Sequence, residues 1–389
     1  MTKKPLSGIK VLDLGQGVAA PYCGLLLAQY GATVIKVEPV LGDWMRGLGA
    51  SWEQQTAYSI YYNIGKKGIA IDLKKPEGLR IVLEIATKSD VILENFRPGV
   101  VNRLGIGFED IKKLNPKVLY GSVSGFGQSG VNAQRPGSDT VLQAFSGLIS
   151  VNKDKDGAPQ RVGTTIVDAI TGLCAFQAVS MALFGGIEEA QLLDLSLLQS
   201  AAVLLAPNIA DFYLNKGPAT ALNAPAGTYR TSDGWIAITL VKEENFRTLC
   251  NVIEKPELIN DERFDSFKSR AENLVDVREL IQQRIALKST QKWTKLFNDA
   301  GVLANPINSF GDWLDHPQVK GTNAYSNVDQ PEVGNIPIAC LPGGLELEGT
   351  APGIGSHTQE VLLELGYSSE EIYRLSSRDV IFAPELNHG

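Results

Sequence analysis

The first third of the chain alternates short apolar runs with amphipathic stretches, and glycine or proline separates them. Apolar runs rich in β-branched residues predict strands at residues 9–14, 33–37, 69–72, 91–93 and 118–123. Helices are predicted between strands at about residues 21–30 and 76–88, each with a proline in its first turn. Strands separated by helices are typical of an α/β fold with a doubly wound parallel sheet.

The pattern changes after residue 200. Residues 202–213 predict a mostly apolar helix, and residues 227–238 predict a hairpin that turns at Ser232-Asp233-Gly234. Charged amphipathic helices are expected over residues 243–299. From residue 301 the chain is rich in proline, glycine and asparagine, with little periodicity before residue 358. We therefore expect a second, smaller domain after the parallel sheet.

Composition narrows the class of protein. A chain of 389 residues is long enough for two domains, and its net charge of −7 argues against nucleic acid or an anionic membrane as a partner. We see no uninterrupted apolar run of 18 residues and no basic, apolar leader in residues 1–5. The four cysteines are scattered without metal or redox spacing, so we expect no metal and a cytoplasmic location.

An acid stands at the head of the most apolar helical segment. Asp168 lies in residues 159–173, and apolar side chains follow it as far as residue 183. Such an acid is a helix cap, a partner in an ion pair or a reactive group. Asp139 opens another apolar stretch, at residues 140–148, with the same alternatives.

The first strand ends in Gly15-Gln16-Gly17-Val18-Ala19-Ala20, which matches the dinucleotide pattern G-x-G-x-x-A. Glu38 ends the next strand, where an acid binds the ribose in NAD-dependent proteins. The other interpretation is a tight strand-to-helix turn that needs small residues. Basic loop residues, including Lys74, Arg97 and Arg103, suit either a phosphate-bearing ligand or plain solvation.

Four segments together resemble the class III CoA-transferases, a family that includes formyl-CoA and carnitine CoA-transferases and the α-methylacyl-CoA racemases. They are Glu94-Asn95-Phe96-Arg97-Pro98-Gly99, Pro136-Gly137-Ser138-Asp139, the Asp168 segment and Asp194-Leu195-Ser196-Leu197-Leu198. The resemblance implies coenzyme A rather than NAD as the ligand of the first turn. The residues implied to contact CoA are Val18, Leu73, Lys74, Asn95, Phe96, Arg97 and Arg103.

The resemblance also implies an activity. The chain would move CoA from an acyl-CoA donor to a small carboxylic acid through an anhydride and a thioester on Asp168, with Asp139 orienting substrate or handling a proton. It implies an interlocked homodimer. Its domains would be a large Rossmann-like CoA-binding domain at residues 1–200 with a C-terminal return at 326–389, a linker helix at 201–225 and a small α+β domain at 226–325.

The chain departs from the family at four positions. Pro39 and Ile64 stand where relatives commonly carry arginine, which affects how the CoA phosphates are bound. Racemases of the family have a histidine directly before the acid that Asp139 matches, whereas this chain has Ser138. Because an ordinary hydroxyl is no base near neutral pH, transferase is favoured over the alternative, a 2-methylacyl-CoA racemase or epimerase. Val18 replaces the glutamine of the formyl-CoA branch, which disfavours an oxalate and formate substrate pair.

Overall fold

The computed structural model describes residues 4–154, 156–217, 221–343 and 345–386. The strands are β1 (Lys10–Asp13), β2 (Thr33–Glu38), β3 (Ser51–Trp52), β4 (Gln55–Thr56), β5 (Lys67–Ile71), β6 (Val91–Glu94), β7 (Leu119–Ser124), β8 (Gln191–Ser196), β9 (Gly227–Arg230), β10 (Trp235–Ile238), β11 (Ala304–Pro306), β12 (Tyr325–Gln330), β13 (Gly334–Ala339) and β14 (Ile381–Phe382).

The helices are α1 (Ala19–Gln29), α2 (Ala57–Tyr61), α3 (Pro76–Thr87), α4 (Val100–Leu104), α5 (Phe108–Leu114), α6 (Asp139–Phe145), α7 (Leu148–Val151), α8 (Ile166–Gly185), α9 (Leu197–Leu204), α10 (Ala206–Asn215), α11 (Glu243–Val252), α12 (Phe267–Glu272), α13 (Leu274–Ile285), α14 (Thr290–Ala300), α15 (Phe310–Asp315), α16 (Pro317–Gly321), α17 (Thr358–Leu365) and α18 (Ser369–Ser377). Short 3₁₀ turns cover Trp44–Gly47, Pro256–Asn260 and Pro384–Leu386.

A seven-stranded sheet in the order β14-β5-β2-β1-β6-β7-β8 forms the centre of the larger unit. Its neighbouring strands pair in parallel except β14, which is antiparallel to β5. The order reverses between β1 and β6, because β2 and β5 follow on one side and β7 and β8 on the other. The predicted α/β fold with a mainly parallel sheet is confirmed.

Adjacent residues of β1 belong to different cores. Leu12 packs in a cluster with Ile81 of α3 and Ile372 of α18, whereas Val11 packs in another with Leu27 of α1 and Val179 of α8. Successive side chains of a strand point to opposite faces, so both faces of the sheet are covered by helices. The apolar character of the predicted strands follows from this double burial.

The chain divides into two compact units. One comprises residues 1–206 and 323–389, and the other comprises residues 207–322. The smaller unit contains the antiparallel sheet β11-β10-β9, and β9 and β10 form the hairpin predicted at residues 227–238. Its core contains the buried aromatic rings of Phe264, Trp293 and Phe297.

Three local predictions need correction. The single helix expected at residues 202–213 within the predicted linker is two helices, α9 and α10, interrupted at Leu205. Pro207 in the first turn of α10 lacks the N–H that would continue α9. Residues 218–220 of that linker lie outside the described residues. Strand β8 and the hairpin of β12 and β13 were missed, since each of these strands mixes apolar with polar residues and buries only one or two positions.

Helix α8 bears on the expectation, drawn from the sequence, that the chain has no uninterrupted apolar run of 18 residues. It is the one helix in the described residues that is long and apolar enough, by length and composition, to cross a membrane. The bent pair α9 and α10 would pass the same test if taken together. The core helix of a soluble protein passes the same test.

Candidate active site

The site lies at the carboxyl ends of the parallel strands, where the strand order reverses. Gln16 follows β1, and Asn95 follows β6. The Asn95 side chain accepts a hydrogen bond from the Gln16 N–H at 2.8 Å and donates one to the Gln16 carbonyl at 2.6 Å. A crevice at such a switch point is the usual ligand site of open α/β sheets.

Gly17 has a backbone conformation that needs glycine. Its φ is +74°, and a Cβ atom there would lie 2.4 Å from the indole of Trp44. Asp43 fixes the same turn, because its carboxylate accepts hydrogen bonds from the N–H groups of Gly17, at 3.0 Å, and Met45, also at 3.0 Å. The glycines of the first turn therefore serve backbone geometry and the approach of Trp44.

Buried ion pairs stabilise this turn. Lys36 contacts Asp43 at 3.2 Å and donates to the Gly15 carbonyl, and Lys66 contacts Asp13 at 2.8 Å. Glu38 accepts two hydrogen bonds from Arg46, both at 2.7 Å, and is 1% exposed. Since Arg46 and the Asp43 N–H occupy its oxygens, Glu38 is not free to bind a ribose. This removes the main support for the NAD interpretation.

Asp168 is the third residue of α8, and its side chain does not cap the helix. Helix α8 lies close to α1 at Gly172, where a Cβ atom would stand 2.7 Å from the Cβ of Tyr22 and 2.9 Å from the Ala19 carbonyl oxygen. Because this contact admits only glycine, it sets the position of the helix and of the acid in its first turn.

The N-cap residue of α8 makes no side-chain capping hydrogen bond, and Asp139 of α6 caps the helix instead. One of its carboxylate oxygens accepts hydrogen bonds from the N–H groups of Val167, at 2.7 Å, and Asp168, at 3.2 Å. The other accepts from Gln143 at 2.6 Å, and Gln143 in turn accepts from the Val162 N–H at 2.9 Å. A carboxylate at a helix N-terminus satisfies free N–H groups and complements the helix dipole.

Burial and the nearby Asp139 change the pKa of Asp168. Burial, and then the negative charge of Asp139, raises the pKa of Asp168 to about 7. Burial disfavours the charged form of a carboxyl group, and a neighbouring like charge acts in the same direction. Asp168 is thus a carboxyl group poised to ionise near neutral pH, as is common for reactive side chains.

Asp168 opens into a cavity of about 350 Å³, which we call the Asp168 cavity. Its lining residues come from the loops at the strand ends and from α1, α8 and α9: Gln16, Val18, Ala19, Trp44, Asn95, Phe96, Arg97, Val123, Ser124, Gly125, Gly137, Ser138, Asp168 and Leu197. Five residues predicted from the sequence meet here: Val18, Asn95, Phe96, Arg97 and Asp168.

A second cavity, of about 480 Å³, shares the walls Gln16 and Phe96 with the first; we call it the Lys74 cavity. Its other lining residues are Leu14, Val37, Glu38, Pro39, Val40, Leu41, Ile71, Asp72, Leu73, Lys74, Val100 and Leu104. Leu73 and Lys74 were predicted. The two cavities together offer an elongated ligand an acidic end and a largely apolar end.

Two of the predicted residues do not line these cavities. Arg103 is exposed on α4, and Asp139 is turned toward the N-terminus of α8. Pro39 lines the Lys74 cavity, whereas Ile64 is fully buried in a core cluster with Leu25 and lines neither cavity.

Sequence reasoning missed several wall residues. Gln16 and Ser124 could have been found, because Gln16 follows β1 and Ser124 ends β7 at the carboxyl edge of the sheet. Trp44 had no signal in the sequence, because its place depends on the contact with Gly17.

The histidines of the described residues lie elsewhere. His316 accepts a hydrogen bond from the Gln318 N–H and caps α16. His357 accepts one from the Gly68 N–H at 3.2 Å. Among the described residues, no group of three histidine, cysteine, aspartate or glutamate side chains could hold a metal ion.

Comparison with known proteins identifies the class that this fold and site define. Residues 6–358 match the CoA-transferase family III, and the chain belongs to that family. It is an enzyme of the CoA-transferase type, and CoA as a substrate is consistent with that family.

Individual relatives match over nearly the whole chain. Succinyl-CoA:glutarate CoA-transferase of Mus musculus is 32% identical, over 97% of this chain and 90% of that protein. Succinate–glutarate CoA-transferase of Agrobacterium fabrum is 33% identical, over 93% of this chain and 96% of that protein. The crystal structure of a CAIB/BAIF family protein from Brucella suis has a TM-score of 0.81 and 30% identity, and the match covers 94% of this chain and all of that chain.

Proposed function

We propose that this protein transfers CoA from an acyl-CoA donor to a carboxylic acid, with Asp168 as the nucleophile. The observation that carries the proposal is a carboxyl group with a pKa of about 7 in the wall of a cavity at the switch point of the sheet. A nucleophile with that pKa is substantially ionised at neutral pH and retains basicity for attack on a thioester.

The reaction begins when an Asp168 oxygen attacks the thioester carbonyl of the donor. The carbon–sulfur bond breaks, CoA leaves as a thiolate, and a mixed anhydride remains on Asp168. The thiolate then attacks the aspartyl carbonyl, which releases the donor acid as a carboxylate and leaves CoA as a thioester on Asp168.

The acceptor then reverses the sequence. Its carboxylate attacks the aspartyl thioester to form a new anhydride and release the thiolate, which attacks the acceptor acyl carbon. Acyl-CoA leaves, and the Asp168 carboxylate is restored with no net proton change. Polar groups line the wall, among them Ser124 and Ser138, and in this proposal they stabilise the negative oxygen of each tetrahedral intermediate.

In this proposal CoA spans both cavities. Lys74 and Arg97, which line one cavity each, supply positive charge for its phosphates, and the apolar wall of the Lys74 cavity receives the adenine. The thiol end then crosses Gln16 and Phe96, the shared walls, toward Asp168. Asp139 acts in this scheme by holding the first turn of α8 and by raising the pKa of Asp168.

We infer that the substrates include short dicarboxylic acids, on the support of the names of relatives that match almost the full chain. The test is a mass-spectrometric assay of CoA exchange with succinyl-CoA as donor and a panel of free acids. Faster transfer to glutarate than to acetate or hexanoate is expected. Equal transfer to all acids would contradict the dicarboxylate class, and no transfer to any acid would contradict the transferase.

We also propose a homodimer. Large apolar side chains lie exposed on helices of the described protein, including Met181 and Phe184 on α8, which are 61% and 89% exposed, and Phe212 and Tyr213 on α10. A chain with so much exposed apolar surface gains stability when a second copy covers it. Interlocking of the two chains and a cytoplasmic location stay predictions.

A further inference from the structure

A row of polar side chains crosses three neighbouring strands of the parallel sheet near their carboxyl ends. Glu94 of β6 is paired in register with Ser122 of β7, and Ser122 is paired with Asp194 of β8. Glu94 is 1% exposed and Ser122 is 4% exposed. Interior positions of a doubly covered sheet normally carry apolar residues, so a buried acid there requires an explanation.

Hydrogen bonds join this row into a chain. The Phe96 N–H donates to one oxygen of Glu94 at 2.8 Å, and the Ser122 hydroxyl donates to the other. Ser122 accepts from the side-chain amide of Gln128 at 2.9 Å. The Gln128 N–H donates to both oxygens of Asp194, at 3.2 and 3.3 Å.

This chain of hydrogen bonds connects two loops that both contribute residues to the wall of the Asp168 cavity. One loop holds residues 95–97, after β6, and the other holds residues 125–128, after β7, which ends at Ser124. Phe96 lines both cavities, and Ser124 lines the Asp168 cavity. Glu94 lines neither cavity, so it touches no ligand and acts only through the loop that follows it.

Retention of Glu94 is costly for the fold. No lysine or arginine in the described structure forms an ion pair with it, and burial raises its pKa to about 7 despite the hydrogen bonds from Ser122 and Phe96. A buried carboxyl group without a cation destabilises the folded state relative to an apolar residue of the same size. This loss of stability is explained if Glu94 is needed to hold the loop at residues 95–97.

We propose that Glu94 is a positioning residue for acyl-CoA. It holds the Phe96 N–H and, through Ser122 and Gln128, fixes the loop at residues 95–97 against the loop at residues 125–128. The inference rests on the proposed function, because it takes CoA to lie across Phe96, which lines both cavities. Asp168 lies on α8, outside this chain of hydrogen bonds, so the loss of Glu94 affects binding more than chemistry.

The test compares Glu94→Ala, Glu94→Gln and Ser122→Ala with Ser89→Ala as a matched control. Ser89 is also a buried hydroxyl with one hydrogen bond, to the Ile85 carbonyl, but it lines neither cavity. Steady-state kinetics give kcat and KM for the acyl-CoA, and calorimetry gives the Kd of CoA itself.

In Glu94→Ala we expect KM and Kd to rise about tenfold while kcat stays within about twofold, since only binding is altered. Glu94→Gln keeps an oxygen for the Phe96 N–H and should restore most of the affinity. Ser122→Ala should weaken binding about threefold, and Ser89→Ala should leave it unchanged.

Unchanged KM and Kd in Glu94→Ala, or a Glu94→Gln variant no better than alanine, would overturn the inference. If Glu94→Ala does not fold, equal affinities of the Ser122 and Ser89 variants would overturn it instead. A wild-type protein that binds CoA without transferring it would defeat the proposed transferase, yet the Kd comparison would still decide the role of Glu94. A wild-type protein that binds no CoA would overturn both.

Discussion

The carboxylate of Asp139 accepts a hydrogen bond from the backbone N–H of Asp168 at 3.2 Å. The two acids of the site are therefore joined through the side chain of one and the main chain of the other. Only Asp168 lines the cavity. The arrangement holds the first turn of α8 and keeps a negative charge close to the nucleophile, which contributes to its raised pKa.

Replacing Asp168 by asparagine should abolish transfer, with kcat reduced about 10³-fold or more, because no covalent intermediate can form. The Kd of CoA should change little. Wild-type protein mixed with donor alone should yield an adduct on Asp168 that hydroxylamine cleaves, and mass spectrometry should find none in the variant. A variant that keeps most of its activity would remove Asp168 from the mechanism.

The same variant should be more stable than the wild type at pH 8. The folded-state pKa of Asp168 lies above its unfolded value, so the native protein holds this proton more tightly. The stability associated with it is present at low pH and is lost as the pH rises through about 7. Asparagine cannot ionise, so the gain in melting temperature should shrink toward pH 4, whereas exposed Glu109→Gln on α5 should show no such trend.

The pH dependence of kcat/KM should show an acidic limb with a midpoint near 7, since the reactive form of Asp168 is the carboxylate. Asp139→Asn removes the neighbouring negative charge and should move the midpoint to lower pH. Burial also raises the pKa of Glu94 to about 7, so Glu94→Gln is the control and should keep the limb. If the midpoint moved in Glu94→Gln and not in Asp139→Asn, the acidic limb would belong to Glu94. This result would contradict its assignment to Asp168.

CoA should raise the thermal midpoint of the protein, and NAD should not, because only a ligand that binds the native state stabilises it. Arg46 already occupies the Glu38 carboxylate, which an NAD ribose would need. Lys74→Met should reduce the CoA shift, whereas Lys113→Met on the exposed face of α5 should not. Saturable stabilisation by NAD with no effect of CoA would restore the dehydrogenase interpretation.

No deuterium should enter the α-carbon of a 2-methylacyl-CoA incubated with the protein in deuterated water. Racemisation beside a thioester needs a base on one side of the α-carbon and an acid on the other. Asp168 alone of the two acids lines the cavity, Ser138 occupies the place of the racemase histidine, and Asp139 is engaged by α8. Exchange as fast as turnover, without CoA transfer, would make the protein a racemase.

Local patterns in the sequence were sufficient to predict much of the α/β scaffold. The strands near residues 9–14 and 91–93, the glycine turn and the apolar helix headed by Asp168 were predicted because each depends on burial within one element. Several wall residues followed from the family resemblance. Strand β14 was not predicted, since two residues gain a structural role only when the end of the chain pairs with β5.

The roles of the acids were decided by tertiary structure. By sequence, Glu38 looks like a ribose ligand, and only the fold brings Arg46 onto it; Asp139 looks like an acid of its own helix, and only the packing of α6 against α8 makes it a cap for Asp168. The physical reason is the same in both cases. A side chain's pattern in the sequence reveals its charge, but its partner, its burial and therefore its pKa depend on residues that only folding brings within a few ångströms.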